Sequence, residues 1–226
     1  MSDSPRCLYS SEIKTFLTTN RNEVLGTLCD GYHGVLQTTQ SDAWGSEITI
    51  LQEALLPWKD SEGKIIFEYD IPRLGKRIDV VVLLKGIIFC IEFKVGESDI
   101  LQGDVDQVLD YALDLKNFHK YSEDKVIVPI LVATRHDGSS SVIQSSIYDD
   151  RVVNPLMTGE KGITNLIADV LKRFPGESPV NDRWIISPYA PTPTIIEAAR
   201  TLYESHSVHD ITRHEADQVT TDQTIA

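Results

Sequence analysis

The segment IDVVVLLKGIIFCIEFK, Ile78 to Lys94, is a run of sheet-forming apolar residues with Asp79 near its start and Glu92 and Lys94 at its end. Two carboxylates and an ammonium are the groups that could hold a divalent cation and a reactive water. Hard carboxylate oxygens are what Mg²⁺ accepts, usually one or two per ion with water completing the shell. If Lys85-Gly86 is a two-residue hairpin turn, Leu84 faces Ile87, and the same register sets Asp79 opposite Glu92 and Arg77 opposite Lys94. Opposed residues of an antiparallel pair project to one face with Cβ atoms about 5 Å apart, so the two acids would stand side by side and repel. Val81, Leu83, Ile88 and Cys90 fill the rest of that face. Ile78, Val80, Val82, Ile87, Phe89, Ile91 and Phe93 fill the other, so water would screen the acids poorly. Either a divalent cation compensates, or Arg77 and Lys94 neutralise the acids in a structural ion-pair network. Spacing alone leaves both open.

The elements that would position this hairpin follow from periodicity. Trp44, Ile48, Leu51 and Leu55 recur at helical spacing between Asp42 and Leu56, with Pro57 as the stop. Glu47 lies on the rim of that stripe, where its carboxylate either reaches toward the sheet or snorkels to solvent. KIIFEYDI, Lys64 to Ile71, alternates as a strand, with Ile66, Glu68 and Asp70 on one face and Ile65, Phe67, Tyr69 and Ile71 on the other. The stretch Asp99 to Phe118 has a broad apolar helical stripe, and beside it Gln107 and Tyr111 form an i, i+4 pair that faces either the acids or ordinary core-edge partners. Val126 to Thr134 is a buried strand, although Pro129 argues against a central place. The order is helix, three strands, helix, strand. A helix at Glu12 to Thr19 precedes it, then a polar stretch over residues 20 to 41 with only scattered apolar anchors. A Ser-rich loop (Ser139 to Ser146), a helix from Thr164 to Arg173, a Pro-punctuated crossing and a helix from Ile195 to Ser205 come after. This divides the chain into a domain at 1–175 and a Pro-punctuated linker with a C-terminal helical segment at 176–226.

Composition bounds the function. The 226 residues, 41% hydrophobic and 24% charged, suit one sizeable core. No run approaches the roughly 18 apolar residues of a membrane span. The opening MSDSPRCLYS has neither a basic region nor an apolar core, so a cytoplasmic protein without a membrane partner is expected. Cys7, Cys29 and Cys90 lack metal or disulfide spacing and read as reduced structural thiols. A formal net charge of −13 argues against coating nucleic acid by bulk electrostatics, so any such binding must be local or metal-assisted. The cations nearest the acids in sequence are Lys64, Arg73, Lys76 and Arg77. The tail histidines His206, His209 and His214 read as exposed rather than as metal ligands.

Asp79 followed by Glu92-Phe93-Lys94 at the end of the next strand, within a helix-strand-strand-strand-helix-strand order, resembles the PD-(D/E)XK nuclease superfamily. The longer words KRIDVVVL, IEFKVGES, DQVLDYALDLKNFH, VPILVAT and PYAPTPTIIEAARTLY resemble the N-terminal region of bacterial DUF2075 proteins, in which a nuclease-like domain precedes a Schlafen-type DNA/RNA helicase. The likeness runs from about Tyr9 to Asp217. It implies an α/β restriction-endonuclease-like core (αβββαβ, a mixed sheet flanked by helices). In it Asp79 and Glu92 bind Mg²⁺ or Mn²⁺, Lys94 orients the attacking water, Glu47 is the helix-borne acid and Gln107 the polar residue of the following helix. The implied activity is a metal-dependent endonuclease on nucleic acid, DNA before RNA, in phage defence or DNA processing, with a helicase domain or subunit as partner; Arg77, Lys76 and Arg73, close to the acids in sequence, are the cations expected toward the nucleic acid. Ile78 stands where the motif's name has Pro. No G-x-x-x-x-G-K-S/T occurs, which disfavours an ATPase and leaves the chain as either a fragment or a stand-alone relative. A non-catalytic module that docks nucleic acid or regulates a helicase is the rival expectation.

Overall fold

A computed structural model describes residues 6–138, 143–144, 151–174, 180, 183–193 and 196. The helix expected from Ile195 to Ser205, apart from Ile196, lies outside these residues, as do the tail histidines and most of the Ser-rich loop. Over these residues the chain folds as an α/β protein around one six-stranded mixed sheet flanked by helices. In chain order the elements are β1 (Tyr9–Glu12), α1 (Ile13–Thr18), α2 (Arg21–Gly31), α3 (Thr38–Ala54), β2 (Gly63–Ile71), β3 (Lys76–Leu84), β4 (Ile87–Lys94), α4 (Gln102–Phe118), β5 (Val126–Ala133), β6 (Leu156–Thr158) and α5 (Ile163–Arg173). The strands lie in sequence order, antiparallel from β1 to β4 and parallel from β4 to β6. No helix among the described residues is long and apolar enough to cross a membrane. All three cysteines are free.

The sheet divides two cores. On one side α1, α2, α3 and α5 bury Phe16, Leu28, Trp44, Ile48, Leu51 and Ile167 against Phe67, Val80, Val82, Phe89 and Ile91. On the other, Tyr111, Ala112 and Leu115 of α4, together with Trp184, cover Ile66, Tyr69, Val81, Leu83, Ile88 and Cys90. His119 locks Trp184 there. Its ring nitrogens reach the Trp184 carbonyl at 3.0 Å and Ser122 Oγ at 2.7 Å, and Ser122 Oγ accepts from Trp184 Nε1 at 2.9 Å. Burial pushes the His119 imidazole down to about 3, so it is held neutral.

Three elements go beyond what periodicity predicts. The polar stretch over residues 20 to 41, to which periodicity assigns no element, contains α2, started by Asn20, whose side chain accepts from Asn22 N–H. β1 and β6, of four and three residues, form the edges of the sheet. Despite Pro129, β5 is internal. The backbone groups of Ile127 point toward the β6 side, bonding Arg151 and Val153, so those of residue 129 point the same way. Pro129 thereby falls in the gap before pairing with β6 starts at Ile130, where a missing N–H costs no ladder bond.

Candidate functional site

The hairpin forms in the predicted register, with Leu84 facing Ile87 and Val80 facing Ile91. Lys85 and Gly86 both have left-handed φ (49° and 78°), the signature of a type I′ turn. The ladder then stops. Asp79 and Glu92 do not continue it. Asp79 Oδ2 instead accepts the backbone N–H of Phe93 at 2.8 Å, while β3 carries on against β2 alone down to Lys76. The expected side-by-side pair is therefore a fork, with Asp79 at the point where β3 leaves β4.

The fork coincides with a break of phase. In β2, Ile65 and Phe67 bury in the α3-side core, but Tyr69 and Ile71, which strict alternation would place beside them, bury with Ile66 on the α4 side. In β3, Ile78 likewise sits with Val81 rather than with Val80, correcting the face expected for it. The cause is Glu68, whose φ of 55° lies in the left-handed region. For a non-glycine residue this costs about 1 to 3 kcal/mol and reverses the facing of the residues C-terminal to it. The pairing of β2 with β3 skips one position, Glu68 against Asp79.

Acids from both layers meet at this gap. Glu47 reaches inward from α3 and is buried, so the rim residue does not snorkel to solvent. Glu68 and Glu92 are also buried, and Asp79 is partly buried. Glu92 Oε1 accepts from Gln107 Nε2 at 2.9 Å and from Lys94 Nζ at 3.1 Å, and Gln107 bonds Tyr111 Oη at 2.7 Å. The Gln107–Tyr111 pair thus faces the acids. Lys94 Nζ also pairs with Asp104 of α4 at 3.2 Å. Glu68 is held from two sides, by Trp44 Nε1 at 2.8 Å and by Arg77 Nε at 2.7 Å. One oxygen each of Glu47 and Glu92 is buried without a hydrogen-bond partner.

Electrostatics reflect this geometry. Burial, and then the charges of Glu68 and Glu92, push the Glu47 carboxyl up to about 8. Burial, then Glu92 and Glu47, hold Asp79 well above the usual carboxylate range. Glu92 is raised by burial in spite of Lys94. Partial burial works against the Lys94 ammonium, but Glu92 and Asp104 outweigh it and hold its pKa above the ordinary value. The loop leading from Lys94 to α4 is itself fixed: Gly96 N–H donates to Thr134 Oγ1 at 2.8 Å and His136 Nδ1 lies 3.0 Å from Ser98 O.

The cations are placed unlike the sequence expectation. Arg77 faces Glu68 rather than Lys94 and lies over the Tyr32 ring, 5.2 Å from its centroid. Arg73 is on the α4 side, bonded to Asp114 at 2.6 Å and stacked on Phe118. Lys76 is exposed, with no ion pair among the described residues. Periodicity alone did not single out Glu68 or Asp104. Glu68 read as one more polar-face residue of an alternating strand, and nothing in the spacing links Asp104 to Lys94.

Among the described residues no three His, Cys, Asp or Glu side chains stand ready as a metal-binding group. The donor set nonetheless suits a hard cation bound by two carboxylates and water, since Asp79 and Glu92 offer oxygens whose charge is under-compensated and one Glu92 oxygen is orphaned. Comparison of the chain with protein-family models, characterised proteins and solved structures gives no match.

Proposed function

We propose that this chain is a metal-dependent phosphodiester hydrolase with a PD-(D/E)XK core, cutting nucleic acid, DNA before RNA, in phage defence or DNA processing. The observation that carries the reading is the fork at Asp79, where Glu47 from one helical layer and Glu92 and Lys94 from the other side of the sheet converge on one gap. Asp79 and Glu92 are the residues that would hold Mg²⁺ or Mn²⁺. Bound there, the ion supplies Lewis-acid stabilisation of the charge developing on the phosphate oxygens. Gln107 fixes the Glu92 carboxylate through Oε1, leaving Oε2 without a protein partner. Lys94, held by Asp104, places an ammonium donor where it can orient a water for in-line attack. The water gives one proton to solvent as its oxygen forms the new bond to phosphorus, the bond to the leaving sugar oxygen breaks and that oxygen takes up a proton from solvent, and the water's second proton remains on the product phosphate or passes to solvent. Lys76 and the outward edge of Arg77 are the contacts available to the phosphate backbone, and a helicase domain or subunit would deliver the strand.

The test is cleavage of a panel of single- and double-stranded DNA and RNA by the purified chain with Mg²⁺ or Mn²⁺. Glu92→Ala should abolish product, and Lys94→Ala should lower the rate by on the order of 10²- to 10³-fold, the effect of removing one well-placed donor. Either variant cutting at the wild-type rate would place the activity elsewhere. Retention of the nucleic acid with no product from the wild type would mark a docking module.

A further inference from the structure

A strand residue with left-handed backbone is unexpected where Gly would be unstrained, and at position 68 the chain carries a glutamate. Its side chain explains how the conformation persists. Trp44 from α3 and Arg77 from β3 take one oxygen each, and the residue is buried, so the carboxylate is fixed from two directions. Asp79 occupies the opposing position that the pairing of β2 with β3 skips. An ordinary extended residue at 68 would let that pair close and turn Asp79 with it, because side-chain direction in a paired strand is set by the ladder. The phase reversal shared by Tyr69, Ile71 and Ile78 shows the break acting on both strands.

We infer that Glu68 is a positioning residue: its left-handed backbone, pinned by Trp44 and Arg77, takes Asp79 out of the ladder and aims its carboxylate at Phe93 N–H and the neighbouring acids. The functional weight of that placement rests on the hydrolase reading above, but the placement itself has its own reporter. The Phe93 amide proton donates to Asp79 Oδ2, so its NMR shift reads the carboxylate directly, with no metal or substrate present.

The experiment compares Glu68→Gly with Glu68→Val. Both delete the bonds to Trp44 and Arg77, so a role confined to those bonds moves the two variants together. Gly adopts left-handed φ freely, whereas Val strongly prefers the extended strand. Glu68→Gly should keep the Phe93 amide near its wild-type position. Glu68→Val should move it upfield, and should weaken Mn²⁺ binding, measured by calorimetry on the purified protein, by roughly tenfold or more, the scale of one lost charge-assisted interaction. Glu68→Ala replaces the Val variant if the latter does not fold. The inference is overturned if both variants keep the Phe93 shift, or if both lose it alike. If the shifts match the expected pattern but the wild type neither binds Mn²⁺ nor cuts nucleic acid, the placement by Glu68 stands and the hydrolase reading is the part that fails.

Discussion

Glu47→Gln is the most direct probe of the buried acids. In the native protein the Glu47 carboxyl is raised from 4.5 to about 8, chiefly by burial. The native state therefore keeps a proton that the unfolded chain releases near 4.5. This contribution to stability is fully present below the unfolded value and is lost as pH rises through the folded one. At about 1.4 kcal/mol per pH unit, the displacement amounts to about 5 kcal/mol across the window from pH 4.5 to 8, shared in part with Glu68 and Glu92, and with Asp79, through their mutual repulsion. Glutamine matches the shape of the protonated acid but cannot ionise. Variant and wild type should therefore melt together near pH 5 in EDTA, and the variant should pull ahead as pH rises. For a chain of this size, 2 to 4 °C per kcal/mol turns the full effect into a gap of roughly 10 to 20 °C by pH 9. Comparing the two proteins subtracts the general effect of net charge. A gap that stays constant from pH 5 to 9 would show that Glu47 does not ionise against its surroundings, and the account of the acid cluster would collapse with it.

Two further outcomes test the charges around the fork. Asp79→Asn should be neutral or stabilising in metal-free buffer. It should also lose most of the melting-temperature rise of about 3 to 6 °C that the wild type gains from Mg²⁺ at tenfold its dissociation constant; an Asn variant that melts lower in EDTA, beside a wild type indifferent to Mg²⁺, makes the acids structural. Without divalent metal, the slope of log affinity for DNA against log salt should not exceed about 3 in magnitude, because Arg73 and Arg77 are already engaged by Asp114 and Glu68; a steep slope measured by fluorescence anisotropy would expose a basic groove elsewhere.

Much of the sheet was legible because its signals are local. The long apolar runs of β3 and β4 flank a Lys-Gly turn, and α3 and α4 repeat apolar residues every three or four positions. The elements that escaped were short or weakly patterned. β1 and β6 are too brief for alternation to register, and α2 has few apolar residues on its buried face, only Val24 and Leu28 being fully enclosed. Its one clear mark, Asn20 ahead of a helical stretch, was available in the sequence. The fork was not legible at all. Alternation assumes extended backbone throughout a strand, and Glu68 breaks that assumption through tertiary bonds to Trp44 and Arg77 that no spacing encodes. Local logic fails there because those tertiary bonds outweigh the extended preference of the strand.

The count of charges at the fork bears on whether the acids are structural. An ion-pair network that exists to stabilise a fold should balance its buried charges, because an unpaired buried carboxylate costs more than a pair returns. Here Arg77 answers Glu68 at 2.7 Å, while Lys94 is shared between Glu92 at 3.1 Å and Asp104 at 3.2 Å, so two cations face five acids. Glu47 and Asp79 are left without a cation of their own: the former has an orphaned buried oxygen, and the latter is neutralised only in part by one backbone N–H. Hydrophobic side chains of similar volume at those two positions would cost the fold nothing of this kind. A balanced network therefore accounts for Glu68 alone, since Lys94 meets Glu92 only through Oε1 and leaves its Oε2 without a partner. Glu47 and Asp79 are stable only when protonated or when positive charge enters the gap, and that demand, shared with the orphaned Glu92 oxygen, is what the proposed ion on Asp79 and Glu92 would meet.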